Sequence, residues 1–159
     1  PKMKALLIGS YGGHAYPLRQ HVVRSRKSYI DIVGPGGVTP DKYPQYLNKY
    51  FCSFALSGIF NGIVGKQFEI PAAGVFLLVR EVEELGICGL KPFVHYVPVS
   101  KDNIFDRVKN VLAHPGNYTT IRDTATKFVR ENHSAINRVN TFGEIFKGLF
   151  PAKYKSLMR

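Results

Sequence analysis

The chain has 159 residues, 45% of them hydrophobic, and a formal net charge of +11 at pH 7. That length and composition suit one domain with its own core and exclude a wholly disordered chain. No apolar run approaches the roughly 20 residues that span a bilayer, and no signal-peptide pattern opens the chain, although a start at Pro1 suggests a piece of something longer.

The positive balance favours anionic partners: nucleic acid, a membrane surface or phosphorylated small molecules. The charges are scattered, and the densest group is only Arg24-Ser25-Arg26-Lys27. With no long basic tail and no RNA-binding aromatic signature, a phosphate site in a basic surface ranks ahead of nucleic acid. Cys52 and Cys88 lie in apolar surroundings without a CxxC partner or a histidine at ligand spacing. They read as reduced thiols, which places the chain in a reducing compartment, the cytoplasm, and argues against a metal site.

The first apolar run, 5–8, reads as a buried strand ended by Gly9-Ser10-Tyr11-Gly12-Gly13. Residues 15–26 carry Leu18, Val22 and Val23 at helical spacing, with Pro17 suited to the first turn. A second strand over 29–33 stops at Gly34-Pro35-Gly36-Gly37, and 41–50 predicts a short helix. A third strand, 51–56, runs into Ser57-Gly58 and a loop with Asn61, Gly62 and Gly65. The spacing then predicts a helix over 66–73, a strand over 75–79 and a short acidic helix over 81–85. A fifth strand is expected at 95–99 and a helix at 102–113, with Ser100 and Asp102 as caps. Helices over 117–132, capped by Asn117, and 134–146 complete the pattern. The last of these holds Ile136, Val139, Phe142 and Ile145 at core spacing. Residues 1–150 thus form the domain and 151–159 a terminal tail.

Short apolar strands alternating with helices define an α/β fold: a Rossmann-like three-layer α/β/α sandwich on a parallel sheet of about five strands. Such sheets bind ligands at the carboxyl ends of the strands, near the switch in strand order. The loops there are 9–13, 34–37, 57–65 and 80–84.

Lys66 and Glu69, three apart on one helical face, are the sharpest chemical signal. The ammonium suits phosphates and the carboxylate suits ribose hydroxyls, whereas the bland alternative is a salt bridge one turn apart. Pro71 complicates the helix, because it removes the hydrogen bond to the Gln67 carbonyl. The glycines at 9–13 lack the GxGxxG register, and Asp31 only loosely matches the acidic residue expected of a dinucleotide site. As backbone donors ahead of a helix they suit an anion. His14, in that loop, could reach a ligand. The five histidines show no metal spacing, and one of Glu81, Glu83 and Glu84 could meet a sugar.

At these residues the chain resembles a family. GKQFEIPAAGVFLLVREVEEL, then HYVPVSKDNIFDRVKNVLAHPGNYTTIRDTATKFVRENHSAINRV, and YPLRQHVV after the first glycine loop are similar to GT-B glycosyltransferases of the group 1, spore-maturation-protein-like type. The similarity spans roughly residues 4–146. It implies one half of a GT-B fold, the C-terminal domain that binds a nucleoside-diphosphate sugar as donor substrate, with no other cofactor. Lys66 would lie near the diphosphate and Glu69 on a ribose or sugar hydroxyl. Gly9, Ser10, Tyr11 and Arg19, with Ser57, Gly58 and Gly65, complete the candidate donor-binding set. A glycan, protein or small-molecule acceptor would be recognised by a missing N-terminal domain, which would also supply the general base; no catalytic residue is assigned.

The retaining-type Glu-x7-Glu spacing is absent, since Leu77 stands where Glu69 would need its partner, and there is no Asp-x-Asp motif. The expectation is therefore metal-independent transfer of open stereochemistry. The rival expectation is a non-enzymatic nucleotide- or nucleic-acid-binding module with the same sheet.

Overall fold

The computed structural model describes residues 1–150, so the expected tail at 151–159 lies outside the described residues. Predominantly apolar segments make the strands: β1 (Lys2–Ile8), β2 (Ile30–Val33), β3 (Tyr50–Ala55), β4 (Phe76–Val79) and β5 (Val97–Pro98). All pair in parallel in the order β2-β1-β3-β4-β5, with Leu7 opposite Ile32, Leu6 opposite Ser53, Cys52 opposite Phe76 and Leu78 opposite Val97. Strands buried on both faces need no polar alternation, and all six residues of β3 are buried.

The helices are α1 (Pro17–Ser25), α2 (Tyr43–Leu47), α3 (Lys66–Ala72), α4 (Glu83–Ile87), α5 (Ile104–Ala113), α6 (Thr119–Asn132) and α7 (Ala135–Leu149). Leu18 and Val22 of α1 pack with Ile104, Val108 and Val111 of α5 on one face of the sheet. Leu47 of α2, Ile70 of α3, Leu85 of α4 and Val129 of α6 cover the other. The three-layer α/β/α expectation is met. The chain leaves β1 for one face and β3 for the other, so the loops after these two strands flank the crevice where the order reverses.

Several elements differ from expectation. The helix at 41–50 divides into a 3-10 turn (Pro40–Lys42) and the five-residue α2, and β3 begins at Tyr50. Val82 is extended, with φ −137° and ψ 149°, so α4 begins at Glu83 and Glu81 stays outside it. The fifth strand is only two residues long, preceded by a single bridge between Pro92 and Tyr96. Neither Ser100 nor Asp102 caps α5: Asn103 holds the cap position, and its Oδ1 accepts from the Ser100 amide at 2.8 Å. A 3-10 turn over Pro115–Tyr118 precedes α6, putting Tyr118 rather than Asn117 at its cap.

Pro71 does lie inside α3, but only one residue from its end, so one carbonyl loses its donor and the helix still closes. The Gly74 amide donates to the Pro71 carbonyl at 2.9 Å and the Val75 amide to Ile70 at 3.2 Å, which turns the chain into β4.

The largest correction concerns α7. Its apolar stripe has the spacing of a core face, yet no residue of α7 is buried, and Ile136, Val139 and Phe142 are 69%, 67% and 66% exposed. The helix meets the domain mainly through its start. Ser134 caps it, accepting from the Asn137 amide, and Arg138 lies against His133.

A candidate anion site at the sheet switch point

Arg19 is set by the first turns of α1. Pro17 begins the helix, Leu18 and Val22 fix its inward face, and Arg19 is drawn under the loops that follow β1 and β3. Its side chain is only 6% exposed. Nε donates to the Leu56 carbonyl at 2.7 Å and Nη1 to the Ser10 carbonyl at 2.8 Å, while the guanidinium lies 4.3 Å from the centre of the Tyr16 ring. These contacts tie the end of β3 to the loop after β1. A solvated helix-face arginine is thereby ruled out. Burial pulls the guanidinium below the usual arginine range.

Lys66 opens α3 from the opposite face of the crevice and converges on the same point. A Cβ added at Gly9 would stand 3.2 Å from Lys66 Nζ and 3.8 Å from Arg19 Nη1. Gly9 has φ +109°, a conformation other residues rarely adopt, so glycine is needed for its backbone as well as for the approach of both cations. Burial first, then the charge of Arg19, hold the Lys66 ammonium below the usual lysine range, and Glu69 pulls the other way. No carboxylate lies within ion-pair distance of Arg19 or Lys66 among the described residues. The salt-bridge alternative for Lys66 and Glu69 is therefore not what the side chains do.

Glu69 instead folds back over Gly65, its Oε1 2.7 Å from where a Cβ of that residue would lie. On the far side stands Tyr43, whose hydroxyl is pushed above the usual tyrosine range by burial and then by the Glu69 carboxylate. Glu69 itself is exposed. Gly58 allows a second close approach: a Cβ there would come within 2.7 Å of the Ala15 carbonyl, which accepts from the Ile59 amide at 3.0 Å. Ser57 is buried beside this turn, and its hydroxyl has no hydrogen-bond partner. Ser10 contributes its carbonyl to Arg19, while Tyr11 leans toward the β2 loop, its hydroxyl 3.3 Å from the position of a Gly34 Cβ.

The structure thus gathers Gly9, Ser10, Arg19, Ser57, Gly58 and Lys66 around one crevice, with Gly65 and Glu69 at its α3 border and Tyr11 on the β2 side. His14 is exposed. Asp31 is committed elsewhere: its carboxylate takes Lys4 at 2.7 Å and the Tyr50 hydroxyl at 3.0 Å, with Lys2 at 3.7 Å. Glu81 accepts from the Tyr96 hydroxyl at 2.9 Å. His133 is a packing residue, flanked by Phe68 and Phe128, with Nε2 2.9 Å from the Cys88 carbonyl.

Three further residues shape the site without a clear signal in the sequence. Tyr16 stacks on Arg19. Gln67 is fully buried and accepts from the Val64 amide at 2.9 Å, which fixes the loop ahead of Lys66. Arg80 reaches back from the end of β4 to the Gly58 carbonyl at 3.3 Å. A cation placed directly after a buried strand, at the ligand-bearing edge, was the one available clue to Arg80. Among the described residues no group of three or more His, Cys, Asp or Glu side chains could hold a metal ion. No helix among them is long and apolar enough to cross a membrane.

The domain is Rossmann-like, of the kind that forms one half of a GT-B fold, and a solved structure shares that fold. The pneumococcal O-GlcNAc transferase GtfA, in complex with UDP and GlcNAc, matches with a TM-score of 0.55 at 15% identity, over 88% of this chain and 28% of that one. A Listeria monocytogenes protein assigned as a UDP-N-acetylglucosamine 2-epimerase matches at 0.46 and 16% identity, over 84% of this chain and 44% of that one. The chain therefore spans less than half the length of either. No protein-family model and no curated protein matches the sequence.

Proposed function

We propose that this chain is the donor-binding half of a GT-B glycosyltransferase, holding a nucleoside-diphosphate sugar at the crevice between β1 and β3. One observation carries the reading: two partly desolvated cations, Arg19 and Lys66, face each other across Gly9 with no carboxylate in ion-pair reach. Like charges brought together under burial are unfavourable unless an anion completes them. A diphosphate supplies two negative centres at the spacing of adjacent phosphates, and the 10–13 backbone lies beside it, beyond Gly9, whose own amide donates to the Val33 carbonyl.

The chemistry is that of charge. Breaking the bond between the sugar and the diphosphate leaves negative charge on the phosphate oxygens, and preorganised cations stabilise it as it grows. Lys66 and Arg19 take that part without a metal in this reading. Glu69, exposed at the border of the crevice, accepts from a ribose or sugar hydroxyl. The acceptor and the general base come from a second Rossmann-like half.

Calorimetric titration with UDP, GDP and their sugars, alongside a single-stranded oligonucleotide, tests the reading. Nucleotide binding that weakens at least about tenfold in Lys66→Ala, with the fold intact, supports it. Oligonucleotide binding with a steep salt dependence, and no nucleotide binding, would replace it with a nucleic-acid module.

A further inference from the structure

A cavity of about 940 Å³ opens on the same sheet edge as the cation pair, but its lining includes neither Arg19 nor Lys66. Three elements build it: one side of α1, the residues directly after β4, and Pro98 at the end of β5 with the 99–103 loop that follows. Leu18, Pro98 and Val99 give it an apolar floor, Leu18 and Val99 being buried in the core beneath. Its size lies at the upper end of the range for small-molecule sites.

The charges in its lining are unbalanced. Arg24, Arg80 and Lys101 contribute three cations, and Glu81 and Asp102 two carboxylates. Glu81 is already engaged by the Tyr96 hydroxyl. No ion pair joins any of these five residues within the described structure. Arg80 spends one donor on the Gly58 carbonyl and Arg24 one on Gln20, so most of their guanidinium donors are uncommitted. Gln20, His21, Ser100 and Asn103 add further polar groups to the wall.

We infer that this cavity is a second binding site, for a small polyhydroxylated molecule bearing an oxyanion, phosphate or carboxylate. The three cations select the anion, the polar wall meets hydroxyls, and the apolar floor takes the face of a ring. Arg80 links the site to the crevice, because the carbonyl it holds belongs to the turn that Arg19 supports from the other side through Leu56 and Tyr16. A ligand here would lie on the same sheet edge as a nucleotide held at Lys66. The site itself is independent of the nucleotide reading and stands if UDP and GDP fail to bind.

The test is titration of the isotope-labelled chain with glucose 1-phosphate, glucuronate and glucose, without nucleotide, followed by amide chemical shifts. Saturable shifts centred on His21, Ser100 and Asn103 are expected for one or both anions, with glucose at least about tenfold weaker. The two anions separate a phosphate site from a carboxylate site. Arg24→Gln and Lys101→Gln, both at exposed positions, should each weaken the anion severalfold and leave the fold intact. Three results would overturn the inference: no saturation by either anion up to about 10 mM, glucose binding as well as its phosphate, or affinity unchanged in the Arg24→Gln/Lys101→Gln double variant.

Discussion

Replacing Arg19 by methionine separates the structural share of this residue from its charge. The substitution removes hydrogen bonds to two carbonyls, of Leu56 and Ser10, and a stack on Tyr16, while keeping much of the aliphatic stem. Hydrogen bonds from a charged donor are each worth about 1.5–3 kcal/mol, and the cation–π contact about 1 kcal/mol more. Against this, a buried charge and its repulsion with Lys66 disappear. The balance is a net loss of about 2–4 kcal/mol. With a urea slope of about 2 kcal/mol per molar, the midpoint should fall by about 1–2 M at unchanged slope.

A second readout follows from the same change. Lys66 is held below the usual lysine range by burial and by Arg19, so its pKa should rise part of the way back in the variant, as followed by NMR of the lysine side chain. An Arg19→Met protein as stable as the parent, with the Lys66 titration unmoved, would refute both the buried anchoring of Arg19 and its coupling to Lys66.

Gly58→Ala should destabilise by about 1–3 kcal/mol and weaken nucleotide binding, because its Cβ meets a backbone carbonyl at 2.7 Å that cannot swing away; denaturation and calorimetry on one preparation check both effects. Val139→Lys should change stability by less than about 0.5 kcal/mol, since the side chain is 67% exposed, whereas a core valine at that place would cost several times more. His95 is buried, its Nδ1 accepts from the Lys91 amide at 2.9 Å, and its pKa is lowered by burial and then by Lys91. The stability it contributes is therefore present above the ordinary histidine pKa of about 6.5 and is lost as pH falls through the lower folded value. The thermal midpoint should drop on acidification below about pH 6.5, and less steeply in His95→Gln.

The parallel sheet was legible because strands buried on both faces leave apolar runs bounded by glycine, as at 5–8, 51–56 and 75–79. Boundaries were less so where tertiary contacts decide them. The Tyr96 hydroxyl engages Glu81 ahead of α4, and β5, an edge strand, pairs with β4 over only two residues. The stripe on α7 shows a different limit: helical spacing states which residues share a face, not whether anything lies against it. At the site, the three-residue spacing correctly put Lys66 and Glu69 on one helix, but their side chains part company. Lys66 goes to Gly9 beside Arg19 and Glu69 turns over Gly65 toward Tyr43, and these surroundings are distant in sequence. The meeting of Arg19 with Lys66 is likewise a product of strand order, and no local pattern encodes it.

The most direct measurement compares UDP and GDP with their nucleosides, uridine and guanosine, by calorimetry at one fixed ionic strength. If Arg19 and Lys66 are completed by a diphosphate, at least one nucleotide binds at least about 30-fold more tightly than its nucleoside, and Lys66→Ala removes most of that difference. A nucleoside binding as well as its diphosphate, or a difference that survives Lys66→Ala, would contradict the account.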